Sequence, residues 1–301
     1  MELRQLKYFI KTAETLNFSE AAKILCINQS TLSQQIRQLE EEMKTSLFQR
    51  NSHNVILTEA GEELLPLALK TLYTSETCLE RMNDQQQLLT GTLKIGVTFT
   101  FSPILTETLL EFIRKYPQIK LIIHYKPMEE LMNMLERHEV DFVLAFKSTK
   151  RYQNVESHVL FNNRLAAIVN EYHPLAQKKK VTLTEIEKYE IALPTLGLQA
   201  RNVFDIATSH YCPHLKIRLE LNEVNILLRI VKRSKMITML SEATIYNEKG
   251  LKAIPLDVPE NNMDGCIHML KDVYLKHSIQ LFIHLLSESK IIKEHIRSWF
   301  N

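Results

Sequence analysis

Residues 18–50, FSEAAKILCINQSTLSQQIRQLEEEMKTSLFQR, read as a helix, a turn of only a few residues, and a second helix with a polar open side. Ser19 is placed to N-cap a short helix whose Ala21, Ala22, Ile24 and Leu25 face inward. Cys26-Ile27-Asn28 breaks that pattern, and Asn28 can cap again. In the second helix Leu32, Ile36, Leu39 and Met43 recur at spacings of four, three and four, which puts them on one core-facing stripe. The open side then holds Gln29, Ser30, Thr31, Ser33, Gln34, Arg37 and Gln38. These are short amides and hydroxyls with one guanidinium, where a merely solvated helix would carry Glu and Lys. Such a face suits base edges and phosphate oxygens.

The neighbouring segments extend this unit. Leu3, Leu6, Phe9, Ile10 and Ala13 fall at helical spacing and predict a supporting first helix. After Arg50 comes the turn cluster Asn51-Ser52-His53-Asn54, then Val55-Ile56-Leu57 as a short strand, which reads as a wing. From Thr58, an N-cap, a long helix runs to Gly91 with Pro66 early in it. Leu65, Leu72 and Leu79, with Ala68, Ser75, Met82 and Leu89, mark a heptad seam of about three repeats. A helix packed on its own domain would carry the same stripe.

Beyond Gly91 strands and helices alternate: strand 92–97, helix 103–115, strand 120–125, helix 128–137, strand 140–146. That is a βαβαβ run, for which parallel strands and right-handed crossovers are expected. A second such run begins near Arg164 with LAAIV and YEIAL, then 202–210, 216–221, 223–232 and 236–240. A strand at 266–270 and a helix from about His277 are expected to return to the first lobe.

The ordered series in 18–50, followed by Leu47-Phe48-Gln49-Arg50 and Leu57-Thr58-Glu59-Ala60-Gly61, resembles the LysR-type transcriptional regulators, and the resemblance covers nearly the whole chain. It implies an N-terminal winged helix-turn-helix (1–58), a linker and dimerisation helix (59–90), and an α/β two-lobed periplasmic-binding-protein-like effector domain (91–301). Lobe I is expected at about 91–161 and 267–301, lobe II at about 162–266. It further implies that the second helix enters the major groove of double-stranded DNA. There Gln29, Ser30, Thr31, Ser33, Gln34 and Arg37 make contacts, Arg50 holds a phosphate and His53 sits at the wing tip. Leu65, Leu72, Leu79 and Met82 pair two protomers, so the target is an imperfect inverted repeat. A homotetramer built as a dimer of dimers, contact with RNA polymerase, and a small-molecule effector between the lobes complete the expectation.

The residues expected around that effector are Thr98, Thr100, Phe101, Ser102, Met128, Phe146, Thr195, Gly197 and Asn225, at the C-terminal ends of strands and at helix starts. Ser102-Pro103 is a helix N-terminus, either an ordinary cap or a seat for an anion. Met128, with Phe101 and Phe146, favours an apolar portion in the ligand. Three positions and one segment depart from the family pattern, among them Met128, which replaces a common hydroxyl residue. Lys44 stands where a helix-ending Gly is usual, at a cost of about 1 kcal/mol if left-handed. Gln34 replaces a common Arg. The segment IVKRSKMITMLS lacks the usual glycine turn.

Composition narrows the function classes. Net charge is +2, and residues 1–58 hold seven bases against six acids, so charge alone does not point to nucleic acid. Cys26, Cys78, Cys212 and Cys266 are far apart without CxxC spacing, which indicates neither a disulfide framework nor a zinc finger. His210-x-Cys212-x-His214 is interrupted by Pro213, and Cys212 has no partner cysteine in its loop, so neither metal nor redox chemistry is expected there. The six glycines do not cluster, and no HExxH, GxSxG or paired-carboxylate motif occurs. No catalytic residue, cofactor or metal is expected. With no membrane-length apolar run and no signal peptide the expected location is cytoplasmic, with no membrane partner. The alternative function is a cytoplasmic solute-binding receptor without a specific DNA target.

Overall fold

The computed structural model describes residues 1–301 except 51–53, 87–88, 149, 210–213, 247, 260, 290–291 and 293–301, and Arg50 by its backbone alone. The chain divides into two units, Met1–Leu88 and Leu89–Asn301.

In the first unit α1 (Leu3–Thr15), α2 (Phe18–Ile24) and α3 (Gln29–Met43) close around Leu6, Phe9, Phe18, Ala21, Leu32, Ile36 and Leu39. Leu32, Ile36 and Leu39 are wholly buried, each contributing about 1.5–3 kcal/mol of transfer free energy. Two expected core residues lie elsewhere: Leu3 opens α1 and Ile24 ends α2, and both helix-terminal side chains are exposed. The cap of α2 is Asn17 rather than Ser19. The Asn17 side chain accepts from the backbone N–H of Ser19 and of Glu20, at 3.0 and 3.1 Å. This starts the helix two residues early, at Phe18, and makes Ser19 its second residue. Strand β1 (Phe48–Arg50) pairs antiparallel with β2 (Val55–Leu57), and the Phe48 ring sits 5.5 Å from those of Phe9 and Phe18.

Helix α4 (Glu59–Gln85) starts where Thr58 Oγ1 accepts from Gly61 N–H at 3.1 Å and donates to Ser46 C=O at 2.6 Å. Gly61 is required by close approach: a Cβ there would lie 2.2 Å from the Leu47 carbonyl oxygen.

Among its described residues the second unit holds a five-stranded sheet, a three-stranded sheet and a two-stranded pair. Lobe I has the order β4-β3-β5-β12-β6, built from β3 (Gly91–Val97), β4 (Ile119–Tyr125), β5 (Phe142–Phe146), β6 (Val155–Phe161) and β12 (Gly265–Leu270). Strands β3, β4 and β5 are parallel, as the βαβαβ run requires, while β12 returns antiparallel between β5 and β6. Because β12 begins at Gly265, that residue and Cys266 lie in lobe I rather than lobe II. Helices α5 (Ser102–Lys115), α6 (Met128–Glu136) and α10 (His277–Glu288) accompany this sheet. The α10 N-terminus is tied to it by Lys276, whose ammonium lies 2.7 Å from the buried Asp141 carboxylate. The other Asp141 oxygen accepts from Lys94 N–H at 2.7 Å.

Lobe II joins an antiparallel set β10-β7-β11 to a parallel pair β8-β9 through an Ile191–Ile237 bridge. The strands are β7 (Leu165–Asn170), β8 (Glu190–Pro194), β9 (Lys216–Leu221), β10 (Thr238–Ser241) and β11 (Leu251–Pro255). The expected all-parallel second run is therefore corrected. β7 carries the chain into lobe II and β11 carries it back toward lobe I, so side by side they run in opposite directions. Helices α7 (Leu183–Ile186), α8 (Gln199–Thr208) and α9 (Val224–Lys232) complete the lobe, α8 starting three residues before the periodicity indicates.

Candidate nucleic-acid interface and ligand cavity

The turn between α2 and α3 is closed by backbone. Cys26 takes φ 55°, and Ile27 N–H donates to Ala22 C=O at 3.0 Å. Asn28 precedes α3 in extended conformation without a side-chain cap bond. The result leaves Gln29, Ser30, Thr31, Gln34, Arg37 and Gln38 exposed along one side, with Ser33 half-buried. Arg37 Nε donates to Glu41 at 3.0 Å in an exposed pair, an interaction worth less than about 1 kcal/mol that a phosphate can readily replace. Glu40 fixes the wing to α3, its Oε1 accepting from the N–H groups of Leu47 and Phe48 at 2.8 and 3.2 Å. Lys44 does end α3 left-handed, at φ 56°. The wing is described as the β1–β2 pair; His53 lies outside the described residues, and of Arg50 only the backbone, paired with Val55, is described.

The seam on α4 splits into two parts. Leu65 and Leu72 are half-buried against the core of their own unit, beside fully buried Ala68. Leu79 and Met82 are 70% and 54% exposed, so only they present an open apolar surface among the four residues assigned to pairing.

In the second unit the expected ligand residues separate into several places. Thr98, Thr100 and Met128 line a space of only about 30 Å³ between the lobes. Met128, Phe146 and Gly197 line a cavity of about 530 Å³ beside it, shared with Tyr152, Asn202, Ile206, Asn262 and Met263. Ser102 and Asn225 border a third space of about 360 Å³. Thr195 lines none of the three; its N–H donates to Leu221 C=O at 3.2 Å. Phe101 is corrected from rim to core. It is 1% exposed, its ring 5.5 Å from those of Phe146 and Phe161, because the short turn Phe99–Phe101 rolls it inward before α5 begins. That turn also occupies Ser102, whose hydroxyl donates to Phe99 C=O at 2.6 Å. The serine hydroxyl thus closes the turn ahead of α5.

The 530 Å³ cavity has an apolar floor of Met128, Phe146, Val203 and Met263, and a wall of mixed charge. Lys150 pairs with Glu129 at 3.2 Å, and Asp264 accepts from Asn162 Nδ2 at 2.8 Å. Burial raises the Tyr152 phenol, with the Lys150 ammonium opposing. Just behind the wall, burial and the Asp264 carboxylate push the Cys266 thiol up to about 11, against the pull of Lys147. Cys266 is therefore a neutral thiol and a poor nucleophile. Gly197 opens toward the cavity at φ 90°, a conformation L side chains rarely adopt.

One contact across the cleft lies outside the sequence-derived set. Gln199, the first residue of α8 in lobe II, reaches the backbone of Phe146 in lobe I. Its Oε1 accepts from Phe146 N–H at 3.0 Å and its Nε2 donates to Phe146 C=O at 2.9 Å. Asn202, Asn262, Tyr152 and Lys147 were likewise not legible, since polar loop residues at irregular spacing leave no periodic signal. Gln199 lies two residues beyond Gly197, the last expected residue of that loop. Among the described residues no group of three His, Cys, Asp or Glu side chains is placed to hold a metal ion, and His210 and Cys212 lie outside them. No helix among them is long and apolar enough to cross a membrane.

Comparison with known proteins places both units. Residues 3–62 match the model for bacterial regulatory helix-turn-helix proteins of the lysR family, and residues 86–290 match the LysR substrate binding domain. Similar curated proteins include the hydrogen peroxide-inducible genes activator of Haemophilus influenzae, 27% identical over 86% of this chain and 87% of its own length. The uncharacterized HTH-type transcriptional regulator YwqM of Bacillus subtilis is 31% identical over 82% of this chain and 85% of its own. The transcriptional dual regulator GltC of the same organism is 27% identical over 86% and 88%. Among solved structures, a full-length OxyR variant from Pseudomonas aeruginosa superposes with a TM-score of 0.72 at 21% identity, covering 97% of this chain and 95% of that one. Full-length CbnR in complex with its target DNA gives 0.63 at 19%, covering 96% and 99%.

Proposed function

The chain belongs to the LysR family of DNA-binding transcriptional regulators, and on that premise we propose that it binds an imperfect inverted repeat through paired α3 helices and answers to a small molecule held between its two α/β lobes. The observation that carries the DNA half is the exposed amide and hydroxyl side of α3 above a wholly buried Leu32-Ile36-Leu39 stripe. A helix in the major groove needs such a face, since amides and hydroxyls both donate to and accept from base edges. Gln29 to Gln34 supply base contacts, while Arg37, Arg50 and His53 supply phosphate contacts that set register.

Pairing through Leu79 and Met82 doubles the recognition helix, and two such dimers form the tetramer. The effector occupies the 530 Å³ cavity, whose apolar floor and polar wall suit a small amphipathic molecule. Such a molecule switches transcription only by binding the two lobe arrangements unequally, which alters the bend of the DNA and contact with RNA polymerase. The protein works in the cytoplasm, where the DNA is, and a receptor without a DNA target is disfavoured by the α3 face.

The division of roles on DNA is testable by fluorescence anisotropy on specific and random duplexes at several salt concentrations. Arg50→Ala is expected to weaken binding to both alike and to reduce the salt slope by about 1. Gln29→Ala is expected to cost about 1–3 kcal/mol on the specific site and almost nothing on random DNA. Equal losses on both duplexes for Gln29→Ala would refute the assignment.

A further inference from the structure

The Gln199 contact joins the two lobes at the point where the small central space and the larger cavity meet, since Gln199 and Met128 line both. A primary carboxamide carries a donor and an acceptor on the same edge, and here both are used: Phe146 N–H into Oε1 at 3.0 Å, Nε2 into Phe146 C=O at 2.9 Å. Phe146 ends β5, and its side chain is 2% exposed, packed against Phe101. The residue that receives the amide is therefore rigidly held by lobe I. The amide is delivered from the first turn of α8, whose Ala200 and Phe204 are buried in the core. The two lobes are thus joined by a side chain that lines both spaces of the cleft.

Resting on the reading of the cleft as the effector site, we propose that Gln199 is a latch that stands in for the effector. In the ligand-free protein its carboxamide holds the lobes together on the Phe146 backbone. The effector that releases it carries its own paired donor and acceptor, as a primary amide, a urea or a protonated carboxyl group does. Exchange of one two-point contact for another costs little in hydrogen bonding, so the body of the ligand in the cavity decides which arrangement is populated. Two net hydrogen bonds bias the closed arrangement by a factor on the order of tens.

The test is hydrogen–deuterium exchange at the Phe146 amide of the full chain, with the β3 and β12 amides as internal controls. Gln199→Ala is expected to raise exchange at Phe146 by about tenfold or more while the controls keep their protection. Acetamide, the fragment excised by that substitution, is expected to restore protection. N-Methylacetamide, whose trans N–H points away from its carbonyl, and acetate at neutral pH are expected to fail. Gln199→Met keeps the length, removes both bonds and fills the space, so it is expected to exchange fast and resist rescue. Unchanged protection at Phe146 in Gln199→Ala, loss spread equally over β3 and β12, or equal rescue by acetamide and N-methylacetamide would each overturn the latch. The same variants titrated with operator DNA keep the two readings apart: a failed latch with intact specific DNA binding leaves the regulator assignment standing.

Discussion

Lys44 closes α3 with φ 56° although it carries a Cβ, a position where glycine has no steric cost. Lys44→Gly is therefore expected to stabilise the protein by about 0.5–1 kcal/mol, read as a rise in the denaturant midpoint at unchanged slope. The opposite sign is expected at Asp141. Its carboxylate lies 2.7 Å from a Lys276 ammonium whose side chain is 9% exposed. Asp141→Ala removes the carboxylate from this buried pair and frees Lys94 N–H, so a loss of about 3–5 kcal/mol is expected in the same measurement. Legibility at this scale followed chemistry. Stripes such as Leu32-Ile36-Leu39 came out of periodicity alone, whereas Asn17 outcompeted Ser19 as cap because either side chain suits the position and only the chain geometry chooses. Phe101 looked like a rim residue for the same reason: an apolar ring after a strand fits a cavity or a core equally well, and the Phe99–Phe101 turn decides.

Helix α4 serves two environments along its length. Leu65 and Leu72 pack on their own unit, and Leu79 and Met82 face outward. The heptad spacing that runs through all four thus records two different burials, which a sequence stripe cannot distinguish. Double substitution Leu79→Lys with Met82→Lys is expected to weaken self-association by tenfold or more in sedimentation velocity without lowering the melting temperature of the helical unit. Leu65→Ala is expected to do the reverse, costing about 1–2 kcal/mol of stability with association nearly unchanged. Strands β6 and β11 leave little periodic signal in the sequence because their burial is mixed and does not alternate. Strands with continuous apolar burial, such as Phe142–Phe146 and Leu165–Val169, were read nearly to their ends.

For the whole molecule, two buried histidines couple stability to pH. Burial lowers both His173 and His268 below the ordinary imidazole value. His173 accepts from Leu175 N–H at 3.1 Å, and His268 Nδ1 lies 2.7 Å from Ser157 Oγ. A base held below its unfolded value binds its proton first in the unfolded chain. The stability is therefore complete above about pH 6.5 and is lost as pH falls through that value, by at most about 1.4 kcal/mol per pH unit for each site. Thermal melts at descending pH are expected to show this decline, and His268→Asn is expected to lessen it, leaving the part due to His173. The larger organisation, a helical reader unit followed by two α/β lobes, was legible because each segment changes its hydrophobic period. The 530 Å³ cavity is legible only in part, through Met128, Phe146 and Gly197, because Gln199, Asn202 and Asn262 are brought together by the lobe packing and by nothing local.

Binding to an inverted repeat requires that α3 read a specific sequence twice. Selection and sequencing of genomic fragments captured by the purified full chain at physiological salt tests it directly. Enrichment of an imperfect inverted repeat whose half-sites are spaced by whole helical turns is expected, with loss of that enrichment in Gln29→Ala. Capture of fragments without a common motif, fading uniformly as salt is raised, would contradict it.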